Sequence, residues 1–129
     1  MGEYAEAPRG RVLVLAAADS TLASAIMGVI ADAGFEPVGV VEHWSDALEY
    51  VIDQHIEVVV VDLTMGGRMG TRVVSTIRAA GDCEVFVISP LQAIDVALAE
   101  AGAAGVVSRD DLRPLAAMLR RSGNAPAHL

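Results

Sequence analysis

Asp62 closes the strand-like run Ile56-Glu57-Val58-Val59-Val60-Val61-Asp62, and the glycine-rich stretch Leu63-Thr64-Met65-Gly66-Gly67-Arg68-Met69-Gly70 follows it. A carboxylate at the carboxyl end of a buried strand, ahead of a turn into a helix, lies where open α/β sheets hold ligands and do chemistry. By itself it reads by default as a strand-end acceptor for backbone N–H groups of the next loop. Ser89 ends a second apolar run, Glu84 to Ile88, and no histidine lies near it in the pattern to activate it as a nucleophile. His43, His55 and His128 are too widely spaced for a metal site and read as surface residues. Gly66 and Gly67 serve backbone geometry, since a phosphate-cradling loop needs a longer motif. Met65 and Met69 read as loop packing. Trp44 reads as a cover for the sheet edge or part of a contact.

Five alternations of strand and helix position these groups. Val12 to Leu15 reads as a buried strand. Ser20 caps a helix with the stripe Leu22, Ile26, Val29, Ile30 and Ala33, stopped by Gly34. Pro37 to Val41 is a second strand. Ser45 is expected to cap a helix carrying Leu48, Val51 and Ile52. Val58 to Val61, continuously β-branched, is a strand buried on both faces. Thr71 to Ala80 is a helix with Val73, Val74 and Ile77 inward, ended by Gly81. Glu84 to Ile88 is a fourth strand, and Ile94, Leu98 and Ala101 stand at helical spacing before Gly102. Gly105 to Ser108 is a short fifth strand. A last helix turns Leu112, Leu115 and Leu119 inward and tolerates Pro114 in its first turn. This alternation implies a parallel sheet covered by helices on both faces. A single domain over residues 11–121 is expected, with 1–10 and 122–129 as flexible ends.

Composition narrows the function. The 129 residues are 53% hydrophobic with few aromatics, so Val, Leu, Ile and Ala must build the core. A formal charge of −8 argues against nucleic acid and against anionic membranes as partners. Cys83, the one cysteine, allows no internal disulfide and fits a reduced, cytoplasmic setting. The run Arg9 to Ala18 faintly resembles a secretion signal, but Glu3 and Glu6 precede it and a buried strand explains it better. No apolar run approaches the roughly 18–20 residues of a membrane span.

Four segments together resemble the receiver domain of bacterial two-component response regulators. They are Asp62 through Gly70, Ala47-Leu48, Glu84 through Ser89, and Ala101-Gly102-Ala103-Ala104-Gly105-Val106-Val107-Ser108-Arg109. The last is the most specific, because its glycine spacing before the fifth strand is a receiver habit. The resemblance spans nearly all of Arg11 to Arg121. It implies a flavodoxin-like α/β fold, a doubly wound (βα)5 parallel sheet in strand order 2-1-3-4-5. It also implies that Asp62 is the phosphoacceptor for a histidine kinase, that Mg²⁺ sits beside it, and that Ser89, Arg109 and Thr64 line the phosphoryl pocket.

Asp62 and Ser89 match the receiver pattern; other positions depart from it. Ala17-Ala18 stand where the family has an acidic pair, and alanine offers no side-chain oxygen to a hard cation. Asp19 comes one residue late, so it and Asp62 are only weak metal ligands by this reading. Arg109 replaces a lysine and keeps the charge in a longer, planar group that could reach Asp62 directly. Pro90 follows Ser89 and lacks the N–H that the family gives to a phosphoryl oxygen. Val106 takes the place of the family's aromatic switch residue, and Asp110 that of the usual proline.

The expected function is therefore that of a stand-alone, receiver-like signalling protein, not an enzyme, with a degenerate phosphorylation site and output through protein contacts. No DNA-binding output segment is read after Arg121. A working phosphoryl acceptor at Asp62 is the alternative, and only then is Mg²⁺ a cofactor. A small-ligand-binding flavodoxin-like domain is the third class, but no fingerprint or metal cluster supports it. The resemblance implies a histidine kinase or a downstream effector as partner and leaves a homodimer open. Its output surface falls on Gln92, Asp95, Val106, Ser108 and Arg113.

Overall fold

The computed structural model describes residues 10–17, 20–63, 70–89 and 100–123. In chain order the elements are β1 (Arg11–Leu15), α1 (Thr21–Asp32), β2 (Glu36–Val41), α2 (Trp44–Asp53) and β3 (Val58–Asp62). They continue with α3 (Gly70–Ala80), β4 (Glu84–Ser89), β5 (Ala103–Ser108) and α4 (Arg113–Gly123). The five strands form one parallel sheet in the order β2-β1-β3-β4-β5. The helical stripe expected at Ile94 and Leu98 lies outside the described residues. Among the described residues, no helix is long and apolar enough to cross a membrane.

Strand side chains alternate between faces, so an unbroken apolar strand feeds two cores. Val12, Val14, Val58, Val60, Phe86 and Ile88 face α1 and α4, where they pack with Ile26, Ile30, Leu115 and Leu119. Leu13, Leu15, Val59, Val61, Val85 and Val87 face α2 and α3 and meet Ala47, Val74 and Ile77. The continuous valines of β3 follow from this two-sided burial. Leu115 and Leu119 are fully buried and contribute roughly 1.5–3 kcal/mol each, so they fix α4 against the sheet.

Two glycines on either side of the β5 start explain the spacing there. Gly102 has φ +111°, a backbone conformation that side chains rarely adopt. At Gly105 a Cβ would come within 2.7 Å of Met118 Sδ and 3.3 Å of Phe86 Cδ1, so the bare glycine lets α4 lie close. β2 forms one edge of the sheet, and its pairing with β1 slips at Val12/Leu13, where Pro37 and Gly39 are the successive partners.

Local signals decide the helix ends. Ser20 caps α1 as expected, its Oγ accepting the Ala23 N–H at 2.9 Å. The expected Ser45 cap is corrected. Extended His43 (φ −120°, ψ 137°) precedes the first turn of α2 without a side-chain cap bond, and Ser45 is already helical. Of the apolar residues this helix carries, Ile52 is 66% exposed, while Ala47 is the buried residue of α2. The helix is rotated so that its small residue meets the sheet. β5 also begins two residues before the expected Gly105, at Ala103. The Gly10 carbonyl accepts the Glu36 N–H at 2.8 Å, and the Ser122 hydroxyl donates to the Glu84 carboxylate.

Candidate functional site at the carboxyl edge of the sheet

The ends of β1, β3, β4 and β5 lie side by side because adjacent parallel strands are in register. Leu15 stands opposite Val61, Asp62 opposite Ile88, and Ser89 opposite Ser108. Asp62 thus closes the central strand and is 4% exposed, the one buried charged residue among those described. Asp62 and Ser89 both have interacting neighbours. The Arg109 N–H donates to the Ser89 carbonyl at 2.9 Å, and Ser108 Oγ accepts the Asp110 N–H at 3.1 Å. These bonds pin the turn after β5 to the end of β4.

The end of β1 offers different chemistry. The Ala16 N–H donates to the Val41 carbonyl at 2.9 Å, and Ala17 is exposed. The Ala17 carbonyl accepts both the Ser20 N–H at 3.1 Å and the Ser20 hydroxyl at 2.8 Å. Its oxygen is therefore committed to holding the start of α1, and its side chain has none. A small hard dication needs a near-octahedral shell of oxygens, and among the described residues β1 contributes no carboxylate beside Asp62. No group of three or more His, Cys, Asp or Glu side chains among the described residues could hold a metal ion.

The direct Arg109–Asp62 contact allowed by the sequence is not formed. The ion pairs among the described residues are Arg11–Glu36, His55–Glu57 and Arg113–Asp111, and Arg109 is exposed. Its backbone N–H is tied to Ser89, and insertion of its guanidinium beside a buried carboxylate would strip hydration that an exposed position keeps.

Of the expected output residues, Val106 and Ser108 are half-buried on β5 and Arg113 is exposed at the start of α4. Asp19, Thr64, Pro90, Gln92 and Asp95 lie outside the described residues. His43 and His55 are exposed, and His55 Nε2 lies 2.6 Å from Glu57 Oε2, at the opposite edge of the sheet from Asp62.

Sequence reasoning missed the partner of Arg113. Its Nε and a terminal nitrogen donate to the two Asp111 carboxylate oxygens at 2.8 and 2.9 Å. These hydrogen bonds hold the Asp111 carboxyl below its ordinary range and raise the guanidinium in turn. The signal was present as an aspartate two residues before an arginine at a helix start.

Residues 14–120 match the family model for the response regulator receiver domain. A response regulator from Thermotoga maritima shares 20% identity, with TM-score 0.74 over 90% of this chain and 98% of that one. The receiver domain of the putative response regulator NarL from Mycobacterium tuberculosis shares 22%, with TM-score 0.74 over 91% and 98%. A Burkholderia pseudomallei response regulator solved with a phosphorylated aspartic acid, calcium ion and citrate shares 18%, with TM-score 0.70 over 92% and 71%. At such identities the likeness to these structures is one of fold. No curated protein matches the chain.

Proposed function

We propose that this chain, which belongs to the response regulator receiver family, signals through protein contacts and has lost efficient phosphorylation at Asp62. The observation that carries the reading is the asymmetry at the carboxyl edge: a buried Asp62 on β3 beside a β1 end made of alanines whose free carbonyl is taken by Ser20. Transfer of a phosphoryl group is catalysed mainly by positioning and by stabilising charge on its oxygens. Ala17 and Ala18 supply no such stabilisation, and Pro90 has no N–H to donate. The exposure of Arg109 supports the same reading.

The partner on this reading is a histidine kinase or a downstream effector in the cytoplasm. The output face comprises Val106, Ser108 and Arg113, together with Gln92 and Asp95 by sequence position. A second reading, a working acceptor, is favoured by Asp62 and Ser89 closing adjacent strands. Treatment with acetyl phosphate and Mg²⁺ followed by intact-mass measurement separates the two. The expected result is no adduct. A stoichiometric phosphate adduct that vanishes in Asp62→Asn would put the second reading first.

A further inference from the structure

α4 carries three of the chain's nine basic residues and no acidic one. Its Leu112, Leu115, Met118 and Leu119 pack in the core shared with α1. That leaves Arg113, Ala117, Arg120 and Arg121 exposed at spacings of four, three and one, a row along the outer side of the helix. Helix polarity explains only part of this row. Arg120 and Arg121 stand in the last turn, where cations suit the macrodipole, but Arg113 stands in the first turn, the end that disfavours positive charge. Among the described residues Arg113 is paired with Asp111, and Arg120 and Arg121 enter no ion pair.

The complement stands on the opposite face of the same molecule. α2 exposes Asp46, Glu49 and Asp53 and contains no basic residue. The three carboxylates line an open groove with Val41, Tyr50 and Gln54. Arg11 touches this groove at Gln54 but is engaged, donating to Gln54 Oε1 at 2.9 Å and lying 3.9 Å from Glu36 Oε1. Asp53 in turn ends its helix, where the macrodipole disfavours negative charge. Arg113 to Arg120 and Asp46 to Asp53 each advance by two helical turns, about 10 Å, so the rows match in length as well as in sign. We propose that the arginine row of α4 docks on the carboxylate groove of α2 in a second copy of this chain. Because α4 and α2 cover opposite faces of the sheet, each copy is held on both sides, and the contact builds an open head-to-tail row instead of a closed pair. This association goes beyond the proposed signalling role and does not rest on the state of Asp62.

Exposed ion pairs are individually weak and screened by salt. The full chain is therefore sedimented at up to about 1 mM protein, in about 20 mM and about 500 mM NaCl. In low salt the weight-average mass should climb with concentration without levelling at a dimer, and high salt should return it to the monomer. Arg120→Ala with Arg121→Ala should lower the association constant at least about tenfold. So should Asp46→Asn with Glu49→Gln and Asp53→Asn, although removing carboxylates from this acidic chain relieves general repulsion; circular dichroism checks that both variants fold. Each variant keeps one intact surface, so an equimolar mixture of the two should recover a one-to-one complex and grow no further. A monomer at every concentration in low salt, undiminished association by either variant, a wild type that levels at a dimer, or a mixture that stays monomeric overturns the proposal.

Discussion

Adding Mg²⁺ to this protein should leave its melting temperature unchanged, and the size of the missing effect can be worked out. A ligand that binds only the native state stabilises it by RT ln(1 + [L]/Kd). For a metal present at about ten times its dissociation constant this is about 1.4 kcal/mol, which raises the Tm of a domain of this size by about 5 °C. Such a gain needs a preformed oxygen shell. Here the β1 end provides an alanine methyl and a carbonyl already held by Ser20, so Asp62 is the carboxylate left on that side. Wild type in 10 mM MgCl₂, about ten times a millimolar dissociation constant, is therefore expected to melt within about 1 °C of the metal-free protein. Ala17→Asp with Ala18→Asp should restore a rise of several degrees that Asp62→Asn abolishes. The assay is scanning calorimetry at constant ionic strength. A clear rise in the wild type, lost in Asp62→Asn, would refute the reasoning.

Other consequences can be measured independently. Leu119→Ala empties a fully buried position between α4 and the sheet and should cost about 2–5 kcal/mol in urea denaturation; a loss below about 1 kcal/mol would mean that α4 is not part of the cooperative core. Arg113→Ala should move the Asp111 carboxyl upward toward its ordinary range, with the backbone N–H of residue 113 still holding it partly down, as read by carboxyl-carbon NMR titration. Because the folded-state value is lowered, whatever stability the pair adds is present above the ordinary carboxylate range and is lost as pH falls through the lowered value. An unmoved Asp111 titration would remove Arg113 as the cause. Burial raises the Cys83 thiol above its ordinary value, so a disulfide reagent at neutral pH should label it slowly when folded and fast in urea. Equal rates would place it at the surface.

The strands were readable because burial on both faces leaves an unbroken apolar run, as in Val58 to Val61. The α1 start was readable because a serine before an apolar stripe has one good use. At α2 the same logic misled. Ser45 suits a cap, but the chain leaves the extended conformation one residue earlier, at Trp44. The spacing of Leu48, Val51 and Ile52 does not fix which of them turns inward, because the rotation of a short helix depends on which partner it meets, and Ala47 packs in the core on this face of the sheet. The early start of β5 was hidden because alanine has weak strand preference, and Ala103 is held there by pairing with Val85 of β4. The position of Asp62 among the strand ends followed from the alternation of elements. The separation of Arg109 from Asp62 did not, because it depends on a backbone bond to Ser89 and on hydration.

The slipped edge at β2 also bears on how the protein behaves at high concentration. An outer strand is a template for the strands of other molecules, and the hazard is greatest where the edge is long, flat and regular. Pro37 removes one amide donor from that template, and the irregular pairing around Val12/Leu13 breaks its repeat. The folded molecule is therefore a poor seed for sheet-to-sheet fibres on this side, and aggregation through β2 has to start from chains that have already opened.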